Sequence, residues 1–201
     1  MIEFIVESCI LKVKAFQSPK YPIILATPKD IRAWQRRGIY PPQYIAADAI
    51  SEKLQRGDHC FVMIERGWPL CWQLVATDTF ELRIAGQEYR PPVSLSHDVA
   101  WCEWTYCAPE ERRQGLALQL KLWALYQLKE CGYRLALRMR RPDNLGSQLL
   151  GQAAGFAPYQ KLFVEDDFLK VESLTGSEER IFSSPGTAST FWKYFLQHRN
   201  T

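Results

Sequence analysis

The 201-residue chain has no stretch approaching the roughly 20 consecutive apolar residues that span a bilayer, so no membrane-spanning helix is expected. Its start, MIEFIVESCILKVK, has no basic residue before the apolar run and no cleavage signature after it. A secretory signal is therefore not expected, and the sequence reads as a soluble, cytoplasmic protein with no membrane partner. A strong basic excess is also missing: 25 Lys and Arg against 22 Asp and Glu leave a net charge of +3, which argues against a nucleic-acid partner. Cysteine is sparse, with six residues at 9, 60, 71, 102, 107 and 131 and no CxxC pair. Such a chain is no disulfide scaffold, and all six read as free thiols packed as small hydrophobes. The three histidines, at 59, 97 and 198, show no metal-ligand spacing with the cysteines, and no metal is expected. The 11 Gly and 12 Pro follow no short period, which excludes collagen-like and low-complexity classes.

What is present is core material. The chain is 47% hydrophobic, with 7 Trp, 9 Tyr and 10 Phe. A single domain over 1–201 is expected: a strand-like leader at 1–20, a core at 21–174 and a C-terminal extension at 175–201. A short strand at 23–26 precedes a helix opened by Thr27 as N-cap and Pro28 at the first helical position. Pro41-Pro42 opens a second helix, closed by Gly57. Strands follow at 60–65 and 70–84, then a loop at 85–98 and a strand at Val99–Cys107. A long helix over 113–130 is apolar around most of its circumference, as a helix sandwiched in a core must be. Residues 133–140 alternate at strand period. A short helix starts at Asp143-Asn144 and ends at Gly155. One or two strands run from Phe156 to about Leu174, and 175–189 reads as a flexible stretch. The order indicates a mixed α/β (α+β) fold around one long buried helix.

The segment from Cys107 to Ala117, CAPEERRQGLA, carries the chemistry. A strand ends, a turn follows, and a helix begins. The first backbone N–H groups of a helix lack internal partners and point outward at its positive end. Gly115 and Ala117 let a ligand approach the backbone, and Arg112 and Arg113 add two cations. The arrangement suits a pyrophosphate. No GxxxxGK[ST] and no GxGxxG occurs, which excludes the P-loop and Rossmann sites.

Strand, P-x-x-R-x-Q-G-L-A, helix, strand and N-x-x-S-x-x-L-x-x-x-x-G-F together resemble the GNAT superfamily of acyl-CoA-dependent N-acyltransferases. Arg112-Arg113-Gln114-Gly115-Leu116-Ala117 resembles its Q/R-x-x-G-x-G/A signature, and Asn144, Ser147, Leu150 and Gly155-Phe156 its downstream motif. The resemblance covers residues 70–164 well, is weak over 23–69, and leaves 1–20 and 175–201 unexplained. It implies a central, mostly antiparallel sheet, a long buried helix after the fourth strand, and a splayed parallel pair, here Val99–Cys107 and 133–140. It also implies acetyl-CoA as co-substrate, with its pantetheine lying in the gap. Backbone N–H groups near Tyr106 and Cys107 would polarise the thioester carbonyl. The amides of Gln114, Gly115, Leu116, Ala117 and Leu118 would hold the pyrophosphate. Asn144, with Ser147 in the same motif, would contact the pantetheine arm or phosphate. An amine-bearing acceptor would attack the carbonyl directly.

Attack needs a neutral amine, and Glu103, a carboxylate in a central strand, is the first candidate base, or else is simply salt-bridged or facing the groove. His97 and Asp98 are weaker ones. Many family members carry a Tyr that protonates the leaving thiolate one residue after the position of Leu150. This chain has Gly151 there, so Tyr159 or Tyr106 stands in, no acid is used, or the chemistry is lost. Gly146 and Gly151 leave room for a longer acyl chain or permit close packing. Arg138, Arg140 and Arg141 read as a solvated face or as phosphate partners. Arg36-Arg37 suits a helix C-terminus or an acidic acceptor. Trp68, Trp72, Trp101 and Trp104 read as core or as an apolar acceptor pocket. The loop at 85–98 and the segment at 36–44 would shape the acceptor site. The terminal FWKYF would dock on the body or on a second copy in a homodimer. The expected function is N-acetyl transfer to an amine. The alternatives are transfer of a longer acyl group from CoA or an acyl-carrier protein, and a non-catalytic binding module.

Overall fold

The computed structural model describes residues 2–11, 18–39, 47–84, 87–165, 168–174 and 179–183. In chain order these form β1 (Ile2–Ile10), β2 (Ile23–Leu25), α1 (Pro28–Arg36), α2 (Ala47–Gln55), β3 (His59–Glu65), β4 (Trp68–Ala76), β5 (Thr79–Ile84), β6 (Gln87–Ser94) and β7 (Val99–Cys107). Then follow α3 (Leu116–Glu130), β8 (Leu135–Arg140), α4 (Leu145–Ala153), β9 (Ala157–Glu165), β10 (Phe168–Ser173) and β11 (Glu179–Ser183). The mixed α/β composition is the expected one. Two compact units form. One holds β1, β5, β6, β8 to β11 and α4; the other holds β2 to β4 and α1 to α3, and β7 starts in the first and ends in the second. No helix among the described residues is long and apolar enough to cross a membrane.

In the first unit the strand order is β11-β10-β9-β1-β8, and each neighbouring pair is antiparallel. The leader strand β1 is thus interior, paired on both sides. Glu7 on β1 is fully buried, and its carboxylate takes hydrogen bonds from Arg138 Nε at 2.5 Å and Arg140 Nε at 2.7 Å. Arg138 Nη2 also donates to the Ser147 carbonyl at 2.6 Å, and its guanidinium lies 5.2 Å from the Phe156 ring centre. Arg138 and Arg140 are therefore neither a solvated face nor phosphate partners. Their strand is covered on both sides, and a buried guanidinium demands a carboxylate. Only Arg141 is exposed, paired with Asp143 at 3.1 Å.

The network also accounts for Gly151. A Cβ at Gly151 would collide with the Arg138 guanidinium, so the missing side chain is close packing and not open space. Gly146, on the same helix, has only the Asn144 Oδ1 atom near its Cβ position, at 3.9 Å.

The strand expected over 70–84 divides. β4 ends at Ala76, and β5 leaves to pair with β6 in a separate two-stranded antiparallel sheet. The loop expected over 85–98 is thus mostly strand. The register shifts between Phe80 and Leu82. The Pro91-Pro92 pair lies within β6, and a two-stranded ribbon tolerates prolines that a central strand would not. β11 likewise falls inside the stretch expected to be flexible; the rest of that stretch (175–178, 184–189), Pro41-Pro42, residues 40–44 and FWKYF lie outside the described residues.

In the second unit β4, β3 and β2 run antiparallel. Thr27 caps α1 through a capping box with Asp30. Ile31, Trp34 and Ile50 from α1 and α2 pack with Val62, Trp72 and Leu74 of the strands, and Trp34 meets Trp72 edge-on at 5.0 Å. Leu116, Leu120, Ala124, Leu125 and Leu128 are the buried stripe of α3. Trp72 and Trp101 are core, as expected, and Trp104 is partly buried. Trp68 is not core: it is 49% exposed, with the Arg37 guanidinium 4.5 Å above its ring.

Gly151→Ala is expected to destabilise by about 1–3 kcal/mol, because the guanidinium it displaces is held by Glu7 and the Ser147 carbonyl. Gly146→Ala is expected to stabilise by up to about 1 kcal/mol from helix propensity. Thermal melts of the two variants check the opposite signs.

Candidate active site

β7 ends at Cys107, and the ladder continues one step as Ala108 N–H donates to the Leu70 carbonyl at 2.9 Å. Pro109–Glu111 make one 3-10 turn. Two residues then enter the left-handed region, Arg113 at φ 64° and Gly115 at φ 75°. Left-handed backbone costs a non-glycine residue about 1–2 kcal/mol, so Arg113 is an outlier that tertiary structure must hold. These two positions delay α3 to Leu116, three residues later than the sequence pattern places it. No side chain caps the helix, so its first N–H groups face outward. A Cβ at Gly115 would meet nothing within 4 Å, so the space over the turn is open.

Arg112 Nε donates to the Cys107 carbonyl at 3.1 Å, and its guanidinium lies 5.8 Å from the Tyr106 ring centre. Gln114 Nε2 donates to Glu111 Oε2 at 3.1 Å. Arg112, Arg113, Gln114 and Gly115 are exposed, Ala117 and Leu118 half-buried, and Leu116 buried. Leu116 thus anchors the helix in the core and offers only its backbone outward. The structure brings Tyr106, Cys107 and residues 112–118 together on one strand-turn-helix, as the sequence pattern requires.

Glu103 has the partner a mid-strand carboxylate needs. Lys53 on α2 donates to its Oε1 at 2.8 Å and lies 3.8 Å from Asp58 Oδ2. All three side chains are nearly closed to solvent, and the Lys53 ammonium is 5.7 Å from the Trp104 ring centre. Sequence reasoning did not single out Lys53. The available signal was its position one turn after Ile50, on the buried face of α2. Beside Glu103 on β7, Thr105 Oγ1 donates to Gln73 Oε1 at 2.6 Å.

Cys107 is not a free thiol. It is joined to Cys71 of β4 in a disulfide, with the two Cα atoms 4.1 Å apart. The pairing of facing strands, invisible across a separation of 36 residues, brings them together. Cys9, Cys60, Cys102 and Cys131 form no disulfide. Burial pushes the Cys60 thiol up to about 12.

In the other unit, Asn144 Oδ1 accepts the Ser147 N–H at 2.9 Å and so caps α4. The two residues form the first turn of that helix. Tyr159 is half-buried on β9, its carbonyl accepting from Leu174 N–H at 3.3 Å. Asp98 accepts from Arg134 Nε at 2.6 Å, which ties it to the start of β8, and His97 is exposed.

No protein-family description and no curated protein matches the chain. Solved structures do match. A protein described as a GNAT-family acetyltransferase from Novosphingobium aromaticivorans superposes with a TM-score of 0.55 at 15% identity, covering 80% of this chain and 61% of its own. A GNAT-family acetyltransferase from Colwellia psychrerythraea gives 0.56 at 14% identity over 79% of this chain and 53% of its own. An aminoglycoside N-acetyltransferase in complex with CoA gives 0.51 at 20% identity over 76% of this chain and 99% of its own. The match spans little more than half the length of the first two. The chain has the GNAT fold.

Burial lowers the affinity of His59 for its proton below the ordinary value of 6.5. The unfolded chain takes up that proton near 6.5 while the folded one does not. The contribution of His59 to stability is complete above that pH and is lost as pH falls through the folded value. Urea unfolding at pH 7 and pH 5 is expected to show a smaller acid-side loss in His59→Gln than in the parent.

Proposed function

We propose that the chain is an N-acyltransferase that moves an acetyl group from acetyl-CoA to an amine. The observation that carries this reading is the uncapped start of α3 beneath open space at Gly115, on a GNAT fold. Anions bind such a terminus through its N–H groups and its dipole. The amides of Gln114, Gly115, Leu116, Ala117 and Leu118 take the pyrophosphate, with the Arg112 and Arg113 cations beside it.

In this reading the acceptor nitrogen attacks the thioester carbonyl carbon. N–H groups near Tyr106 and Cys107 stabilise the oxyanion, and collapse breaks the C–S bond. The nitrogen loses a proton, which Glu103 receives, starting from its resting pair with Lys53. The CoA thiolate gains one from Tyr106 or Tyr159, or leaves unprotonated. The space beside Gly151 is filled by the Arg138 guanidinium, so Gly151 gives no support to a longer acyl chain. The amine stays generic. One observation favours a second reading, a module that binds acyl-CoA without turnover: the Glu103 carboxylate is nearly closed to solvent.

Calorimetric titration is expected to give saturable micromolar binding of acetyl-CoA, weaker binding of a medium-chain acyl-CoA, about tenfold loss in Arg112→Ala and no binding in Gly115→Glu. CoA release in the presence of an amine panel then separates the two readings. Normal acetyl-CoA affinity in Gly115→Glu would remove the phosphates from this turn.

A further inference from the structure

The Cys71–Cys107 disulfide ties β4 to the last residue of β7 at the point from which the turn of residues 108–115 departs. The same Cys107 offers its carbonyl to Arg112 Nε, and its neighbour Ala108 closes the last ladder bond to Leu70. One covalent bond therefore fixes the strand end on which both Arg112 and the start of α3 hang. Without it, that end is held by a few hydrogen bonds at the margin of a sheet, where strands fray.

The two residues differ in burial. Cys71 is fully buried, whereas Cys107 is half-buried. Among the cysteines that form no disulfide, Cys9, Cys60 and Cys102 are buried and Cys131 is exposed on the turn after α3. Burial that raises the Cys60 thiol to about 12 also keeps it from exchange.

We propose that Cys71 and Cys107 form a thiol–disulfide switch that sets the affinity of the turn for acyl-CoA, with the disulfide form binding more tightly. This rests on reading that turn as the cofactor site. Reduction proceeds by attack of a small thiolate on the sulfur of Cys107, the less buried of the two residues. The S–S bond breaks, and Cys71 leaves as a thiolate that takes a proton. A second small thiol attacks the mixed disulfide, freeing Cys107 and releasing the small-molecule disulfide. Two electrons pass to the protein, and two small thiols are oxidised. The reverse reaction uses a small disulfide as oxidant. CoA, the free-thiol product of the proposed reaction, belongs to the class of reductant required. Affinity changes because the tied strand end presents Arg112 and the helix amides already ordered, and ordering otherwise subtracts from binding.

The test uses the full chain equilibrated with oxidised glutathione or with dithiothreitol, each removed before measurement under argon. Thiol titration under denaturing conditions is expected to count no more than four thiols in the first preparation, because Cys71 and Cys107 are joined and exposed Cys131 also takes up glutathione, and six in the second. Acetyl-CoA, which carries no free thiol, is then titrated into both. At least fivefold tighter binding is expected in the disulfide form. Cys71→Ser, treated with dithiothreitol alone, is expected to bind as the reduced form does, while Cys131→Ser keeps the full response. Six thiols in both preparations, or equal affinity in both, would overturn the switch and leave the proposed function standing. No acetyl-CoA binding in either form would overturn the cofactor reading and the switch together.

Discussion

One buried carboxylate organises half of this molecule. Glu7 sits between two guanidiniums, and a lone carboxylate in that position would be several kcal/mol too costly to keep. Its pairing fixes the register of β1 against β8 and makes the leader an interior strand. Through Arg138 the same charge reaches the Ser147 carbonyl and the space above Gly151, so α4 is ordered by it as well. Removing Glu7 would strand two cations in the sheet.

The other half depends on backbone conformation rather than on charge. Two left-handed residues, Arg113 and Gly115, postpone α3 and turn its first N–H groups toward open space. The buried stripe from Leu116 to Leu128 anchors the helix that carries them. Left-handed backbone at Arg113 and a missing side-chain cap coincide at this one turn, and that coincidence singles it out.

Features written in local pattern were legible in the sequence. The Thr27 cap of α1, the apolar run of α3, the helix start at Asp143-Asn144 and the strand-turn-helix around Gly115 all stand where local chemistry puts them. What escaped depends on tertiary neighbours. Alternation along β8 places Arg138 and Arg140 on a polar face, but it cannot reveal that β1 brings Glu7 to meet them. Cys71 and Cys107 are joined only because β4 and β7 are neighbours in the sheet. Pro91 and Pro92 signal a loop unless the strand bearing them belongs to a two-stranded ribbon. Lys53 reads as a polar interruption of α2 until Glu103 is opposite it. The strand-turn-helix of the candidate site was legible in local pattern, whereas the candidate proton-handling groups were named by type and position alone.

The central claim is that the turn from Arg112 to Leu118 receives the phosphates of acyl-CoA. The most direct measurement follows the backbone amide resonances of isotopically labelled protein as CoA is added. The account predicts that the largest shifts fall on Gln114, Gly115, Leu116, Ala117 and Leu118 and saturate together. Saturable shifts confined to other segments, or no shifts at millimolar CoA, would contradict it.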